Sequence, residues 1–106
     1  MNQYLVFESN EESDKMIPFG EKRLFKAGGK SICVARIQSG LVAFENACPH
    51  QGEGLNKGHI NPFGEITCPL HAYRFDLKTG EEVANKCSGL KFINLVEIKG
   101  KVYLEF

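Results

Sequence analysis

Two short segments of the chain carry residue types that bind metals. Cys48-Pro49-His50 and Cys68-Pro69-Leu70-His71 each join a thiol to an imidazole, and seventeen residues, 51 to 67, separate them. Thiolate is a soft ligand and neutral imidazole suits several transition metals, so each segment can hold one side of a metal centre. Two such loops brought together can clamp a binuclear centre, with both cysteines on one metal and both histidines on the other. A structural zinc would accept the same four ligands tetrahedrally. Zinc sites usually pair Cys with Cys and His with His, however, and here each half is mixed.

The elements that must position these ligands are short and β-prone. Tyr4 to Glu8 reads as a strand and the polar stretch Ser9 to Lys15 as a loop. Lys22 to Lys26 and Lys30 to Gln38 flank Ala27-Gly28-Gly29, a strong hairpin signal. Ser39-Gly40 turns into a strand over Leu41 to Glu45. Lys91 to Ile98 and Lys101 to Phe106 flank Lys99-Gly100, and Val102 and Leu104 alternate with Tyr103 and Glu105 as in a half-buried strand. Many short strands at close spacing predict a small all-β antiparallel sandwich or partial barrel. The middle, Asn46 to Asp76, differs: it holds Pro49, Gly52, Gly54, Gly58, Pro62, Gly64 and Pro69 and little apolar periodicity. A long irregular stretch inside a small domain is usually functional. All three histidines and two of the four cysteines lie in it.

At 106 residues the chain has the length of one domain. It can bury a core without needing a metal to hold it together. Hydrophobic residues make up 42% and charged residues 25%, which excludes a disordered chain. Thirteen basic residues balance thirteen acidic ones, so no nucleic-acid partner is expected. The N-terminal residues have no basic n-region, and their apolar run is only Tyr4 to Phe7, unlike a signal peptide. No apolar run approaches the ~20 residues that span a bilayer. A soluble, cytoplasmic protein without membrane contact is the expectation. In that reducing compartment, metal ligation is a better use of the cysteines than disulfides.

The pairing of Cys-x-His with Cys-x-x-His at this separation, followed by the Tyr73-Arg74-Phe75-Asp76-Leu77-Lys78-Thr79-Gly80 hairpin, resembles the Rieske family. The resemblance covers about a third of the chain well, from Cys48 to Gly80. It implies one [2Fe–2S] cluster held by Cys48, His50, Cys68 and His71. It also implies a Rieske-like fold: a β base, 1–45 and 77–106, into which a cluster-binding subdomain of loops and short strands, 46–76, is inserted. Imidazole ligation has an electrostatic consequence. Four thiolates make the dicationic oxidised core a dianion, whereas two thiolates and two neutral imidazoles leave it near neutral, so an added electron meets less repulsion. Rieske centres accordingly lie at roughly −150 to +300 mV, against about −400 mV for plant-type ferredoxins.

Within the family, the respiratory class adds a disulfide between the cluster loops. Its positions correspond here to Glu53 and Leu70, so that bridge is absent. The same class places Ser and Tyr donors two and four residues after the second histidine, where this chain has Tyr73 and Phe75. Their loss predicts a low-potential centre near about −150 mV. A proline-rich covering loop of the family is replaced by Ala84-Asn85-Lys86-Cys87-Ser88-Gly89, which predicts a third loop that is looser or shaped for another partner.

Other residues read as structural. Cys33 lies in an apolar strand and is expected to be a buried hydrophobe. Cys87 reads as a free surface thiol and His59 as a solvated loop residue. Gly80 is expected to take a left-handed conformation in the Asp76 to Gly80 turn. Phe44, Phe63, Phe75 and Phe92 are expected in the core or shielding the cluster, and Lys57, Lys78 and Lys86 to serve solubility.

A mononuclear oxygenase iron needs two histidines and a carboxylate. Only His59 would be left over, and no G-x-G-x-x-G fingerprint marks a flavin or nicotinamide reductase. The chain is therefore expected not to be an enzyme but an electron carrier between a reductase and a terminal oxygenase or other oxidoreductase. Two alternatives remain open: a small subunit bound permanently in a nitrite-reductase-like complex, and a zinc-stabilised interaction module.

Overall fold

Residues Ile32 to Ala35 are all completely covered, although a strand half-exposed to water would bury only every second side chain. The strand that carries them, β3 (Lys30–Ile37), serves two cores. Ile32 and Val34 face one, with Phe7, Ile17, Ala43, Val102 and Leu104. Cys33, Ala35 and Ile37 face the other, with Phe44, Cys48, Leu55, Ile66, Cys68, Phe75, Leu77 and Leu90. The first core fills the β base and the second joins that base to the segments that carry Cys48 and Cys68.

The architecture comes from a computed structural model, which describes every residue except His50, Gln51, Glu53 and His71. Six strands form one antiparallel sheet: β1 (Gln3–Phe7), β2 (Lys22–Ala27), β3, β4 (Gly40–Glu45), β8 (Phe92–Ile98) and β9 (Lys101–Glu105), in the order β1-β9-β8-β4-β3-β2. Its two outer strands meet. Phe7 of β1 packs edge-on against Phe25 of β2 at 5.6 Å between ring centroids. Tyr4 stacks on Phe106 and lies against Gly28, where a Cβ would come within 2.6 Å of the tyrosine oxygen. The sheet thus curls into a nearly closed barrel, the partial barrel expected of the strand pattern. A second sheet, β5-β6-β7, is built from β5 (His59–Ile60), β6 (Glu65–Thr67) and β7 (Arg74–Asp76). Residues 81 to 83 continue it, through the Phe75–Glu82 bridge and the Val83 N–H donated to the Arg74 carbonyl at 2.9 Å.

The predicted hairpins form with small shifts. Gly28 and Gly29, at φ +56° and +78°, make the two-residue loop between β2 and β3, the conformation that matches strand twist. The β3–β4 turn falls on Gln38-Ser39 rather than Ser39-Gly40, since Gly40 pairs with Ile37.

Ser9 to Lys15 is not a loop. Asn10–Met16 forms α1, with Ser9 as its N-cap accepting from the Glu12 N–H at 3.1 Å, while the Glu12 carboxylate accepts from the Glu8 N–H. The Ser-x-x-Glu spacing is a capping signal that outweighs the polar composition. Arg36 of β3 fixes this helix to the barrel. It donates to the Ile17 carbonyl at 2.6 Å and the Ser13 hydroxyl at 3.1 Å, and pairs with Asp14 at 3.0 Å. Among the described residues, no helix is long and apolar enough to cross a membrane.

Candidate metal centre

Backbone bonds carry the chain from the barrel into the first loop. The Glu45 N–H donates to the Lys91 carbonyl and the Asn46 N–H to the Ser31 carbonyl, each at 2.9 Å. Asn46 then closes the loop by a reciprocal amide bond. Its Nδ2 donates to Asn56 Oδ1, and its Oδ1 accepts from the Asn56 N–H, both at 2.7 Å. Between these anchors stands Cys48, whose carbonyl accepts from the Gly52 N–H at 2.7 Å. The loop ends in a 3₁₀ turn over Leu55–Lys57 that buries Leu55.

Gly58, the next residue, brings the two halves of the site together. A Cβ there would fall 1.8 Å from the Thr67 carbonyl oxygen, an approach that only glycine permits. Thr67 ends β6 and leads directly into Cys68. The Cys68 N–H donates to the Tyr73 carbonyl at 2.7 Å and its carbonyl accepts from the Ala72 N–H at 3.1 Å, with Ala72 in the left-handed region at φ +56°. The second loop is therefore a tight reversal that returns into β7.

Cys48 and Cys68, twenty positions apart in the chain, share one core and are each 1% exposed. Neither forms a disulfide, nor do Cys33 and Cys87. A buried pair of thiols from two separate loops is half of the donor set that a zinc or a Rieske iron pair requires, and the dry surroundings keep water from competing. His50 and His71 lie outside the described residues, as does Glu53. Leu70, the other position of the missing disulfide, is half exposed.

The remaining residues fall partly as expected. Cys33 is wholly buried in β3, and burial pushes its thiol up to about 12, with the Lys22 charge working the other way. His59 is exposed but paired with Thr67 in β5, a strand rather than a loop. Gly80 has φ +83° and donates to the Asp76 carbonyl at 2.6 Å, closing the expected turn. Phe44 and Phe75 are fully covered, whereas Phe63 is 76% exposed and Phe92 also reaches solvent. Phe63 sits at the tip of the β5–β6 turn, where Asn61 Oδ1 accepts the N–H of Phe63 and of Glu65 and turns the ring outward.

Cys87 departs from the expected surface thiol. It is half-buried and packs against the core that holds Cys48 and Cys68. Burial raises its pKa first, with smaller contributions from the charges of Glu82 and Cys68. Among the described residues, no three metal-binding side chains converge, so neither Cys87 nor His59 completes a site with Cys48 and Cys68 there.

Sequence reasoning missed Glu82. It is 3% exposed, and its carboxylate accepts the N–H of Ala84 at 3.1 Å and of Lys86 at 2.7 Å. Its carboxyl pKa is held below the ordinary value chiefly by the Lys86 N–H, against an opposing desolvation. The loop from Ala84 to Gly89 is thereby pinned rather than loose. No sequence signal distinguished Glu82 from its exposed neighbour Glu81.

The Rieske [2Fe–2S] domain model matches residues 6–93. The chain belongs to the Rieske [2Fe–2S] family. One such cluster is accordingly its cofactor. Among Rieske relatives, the chain is similar to the ferredoxin component of the alkene monooxygenase system of Xanthobacter autotrophicus. Identity there is 29% over 70 residues, which covers 64% of this chain and 57% of that protein. It is also similar to the ferredoxin component of the naphthalene 1,2-dioxygenase/salicylate 5-hydroxylase systems of a Ralstonia species, 35% identical over 65 residues, covering 61% of this chain and 62% of that one. The chain thus spans about three-fifths of the length of these relatives. In the solved complex of reduced oxygenase and oxidised ferredoxin in carbazole 1,9a-dioxygenase, the matched chain superposes with a TM-score of 0.77 at 23% identity, covering 96% of this chain and 91% of that one. At that identity the likeness carries the Rieske fold.

Proposed function

We propose that this protein is a soluble, cytoplasmic electron carrier whose single Rieske cluster is held by Cys48, Cys68, His50 and His71. The observation that carries this reading is the convergence of Cys48 and Cys68, from two separately anchored loops, in one water-excluding core. In this assignment the two cysteines would hold one iron, His50 and His71 would hold the other, and 46–76 would serve as the cluster-binding insert in a base formed by 1–45 and 77–106. When bound, the cluster supplies a reversible one-electron redox step. The protein's own residues fix the thiolates in place, through the Asn46–Asn56 clamp and the Gly58–Thr67 approach, and keep bulk water from the sulfur side.

The partners proposed are a reductase as donor and a terminal oxygenase as acceptor, the systems named for the two curated relatives. The chain's role in such a system is electron transfer, with catalysis left to the acceptor. Phe75, fully buried, offers no hydrogen-bond donor, which supports a potential near about −150 mV. Iron, acid-labile sulfide and zinc assays on the purified protein test the assignment. About two irons and two sulfides per chain are expected, and one zinc without sulfide would overturn it. Direct voltammetry tests the class, for which a midpoint above zero millivolts is the contrary result.

A further inference from the structure

The third loop lacks proline but is tightly organised, and one side chain organises it. Glu82 collects three successive amides: its carboxylate accepts from Ala84 and Lys86, and its backbone carbonyl accepts from Asn85 at 2.9 Å. Asn85 takes φ +55° to make this possible. A carboxylate buried to this extent requires satisfied hydrogen bonds, and here its acceptors meet two N–H donors pointed inward from the loop. Charge-assisted bonds of this kind are stronger than neutral ones.

The loop so held touches both metal-binding loops. Cys87 packs against the core of Cys48 and Cys68. Lys86 places its ammonium 5.7 Å from the ring centre of Tyr73, the residue whose carbonyl accepts the Cys68 N–H. Ser88 and Gly89 line a cleft of about 230 Å³ whose other wall includes Ala47, Cys48 and Pro49. Glu82 itself is tied to β7 through its bridge with Phe75. A line of contacts therefore runs from the rigid small sheet, through one buried carboxylate, to the cover over the cysteine side of the site.

We propose that Glu82 is a positioning residue for the cluster: it locks the loop from Ala84 to Gly89 shut over the Cys48–Cys68 side, doing the work that prolines would otherwise do by restricting the backbone. The proposal rests on the Rieske reading above. Glu82→Gln tests it in the intact holoprotein, with Glu81→Gln as the exposed control. The amide replacement keeps the shape but turns one acceptor into a donor facing an N–H. Two readouts are followed: hydrogen exchange of the segment 82–90 by mass spectrometry, and bleaching of the cluster absorbance as a chelator takes iron. Glu82→Gln is expected to assemble the cluster, to exchange faster over 82–90, and to release iron about tenfold faster than wild type. Glu81→Gln is expected to match wild type in both. An unchanged rate of iron release in Glu82→Gln overturns the proposal. If wild type itself holds no iron and sulfide, the Rieske reading has failed instead, before the variant is compared.

Discussion

Strand β3 is paired along its length on both sides, from Lys30 to Ala35 with β2 and from Ile32 to Ile37 with β4. Strands β5 and β6, by contrast, meet only at His59–Thr67 and Ile60–Ile66. The barrel is held by backbone ladders and by apolar side chains such as Phe7, Ile32 and Leu104 closing on one another. The loops around Cys48 and Cys68, and the third loop beside them, lean more on single side chains acting on backbone: Asn46 on Asn56, Asn61 on its own turn, Glu82 on residues 84 and 86. Ladders tolerate the loss of any one contact, whereas a loop fixed by one side chain does not. Stability and cluster retention should therefore separate by region.

The largest effect expected is total. Cys68→Ala removes a buried thiol that the proposed assignment makes a cluster ligand, so the cluster absorbance should be lost entirely, while the strand signature in far-ultraviolet circular dichroism persists because the barrel core does not contain Cys68. Loss of both signals together would mean that the barrel depends on the cluster. Phe7→Ala acts on the other region. Removing a fully buried ring costs about 3–5 kcal/mol, a fall in Tm on the order of 15 °C by thermal unfolding, with the midpoint potential of the folded protein unmoved. A shifted potential would show that the two cores are coupled through β3.

Gly58→Ala targets the junction between the two cysteine loops. The new methyl would meet the Thr67 carbonyl at 1.8 Å, so backbone must move, at a cost of about 1–3 kcal/mol. Iron content per chain should fall by more than the loss of thermal stability alone would suggest. Wild-type iron content in this variant would show that the approach of the loops is not set at Gly58.

The smallest effect is pH-dependent. Glu82 has a folded pKa below its ordinary value of about 4.5, chiefly through the Lys86 N–H. Its contribution is fully present above the unfolded pKa and is lost as pH falls through the folded one. Exchange of 82–90, corrected for its intrinsic pH dependence, should rise only below about pH 4.5. A rise beginning near neutrality would point to another group.

What could be read from the sequence follows the same division. The hairpins of the barrel carry local signals, Gly28-Gly29 and Lys99-Gly100, and alternation marks Val102 and Leu104 as inward-facing. The cysteines were legible because their spacing encodes chemistry. The helix from Asn10 to Met16 was missed because its polar residues hide a cap at Ser9. Phe63 was misplaced because hydrophobicity says nothing of the Asn61 turn that points it outward. The Asn46–Asn56 clamp joins residues ten apart that meet only after folding, and Glu82, though it binds its near neighbours, is one charged residue among many and gives no periodic signal.

Electron paramagnetic resonance of the dithionite-reduced wild-type protein, read beside a His50→Cys variant, examines the ligand assignment at its source. A strongly rhombic spectrum with an average g below that of all-cysteine clusters is expected, together with a lowered midpoint wherever the variant still assembles a cluster. A spectrum of the all-cysteine type in wild type, or a midpoint unmoved by the substitution, would mean that the histidines do not hold the second iron.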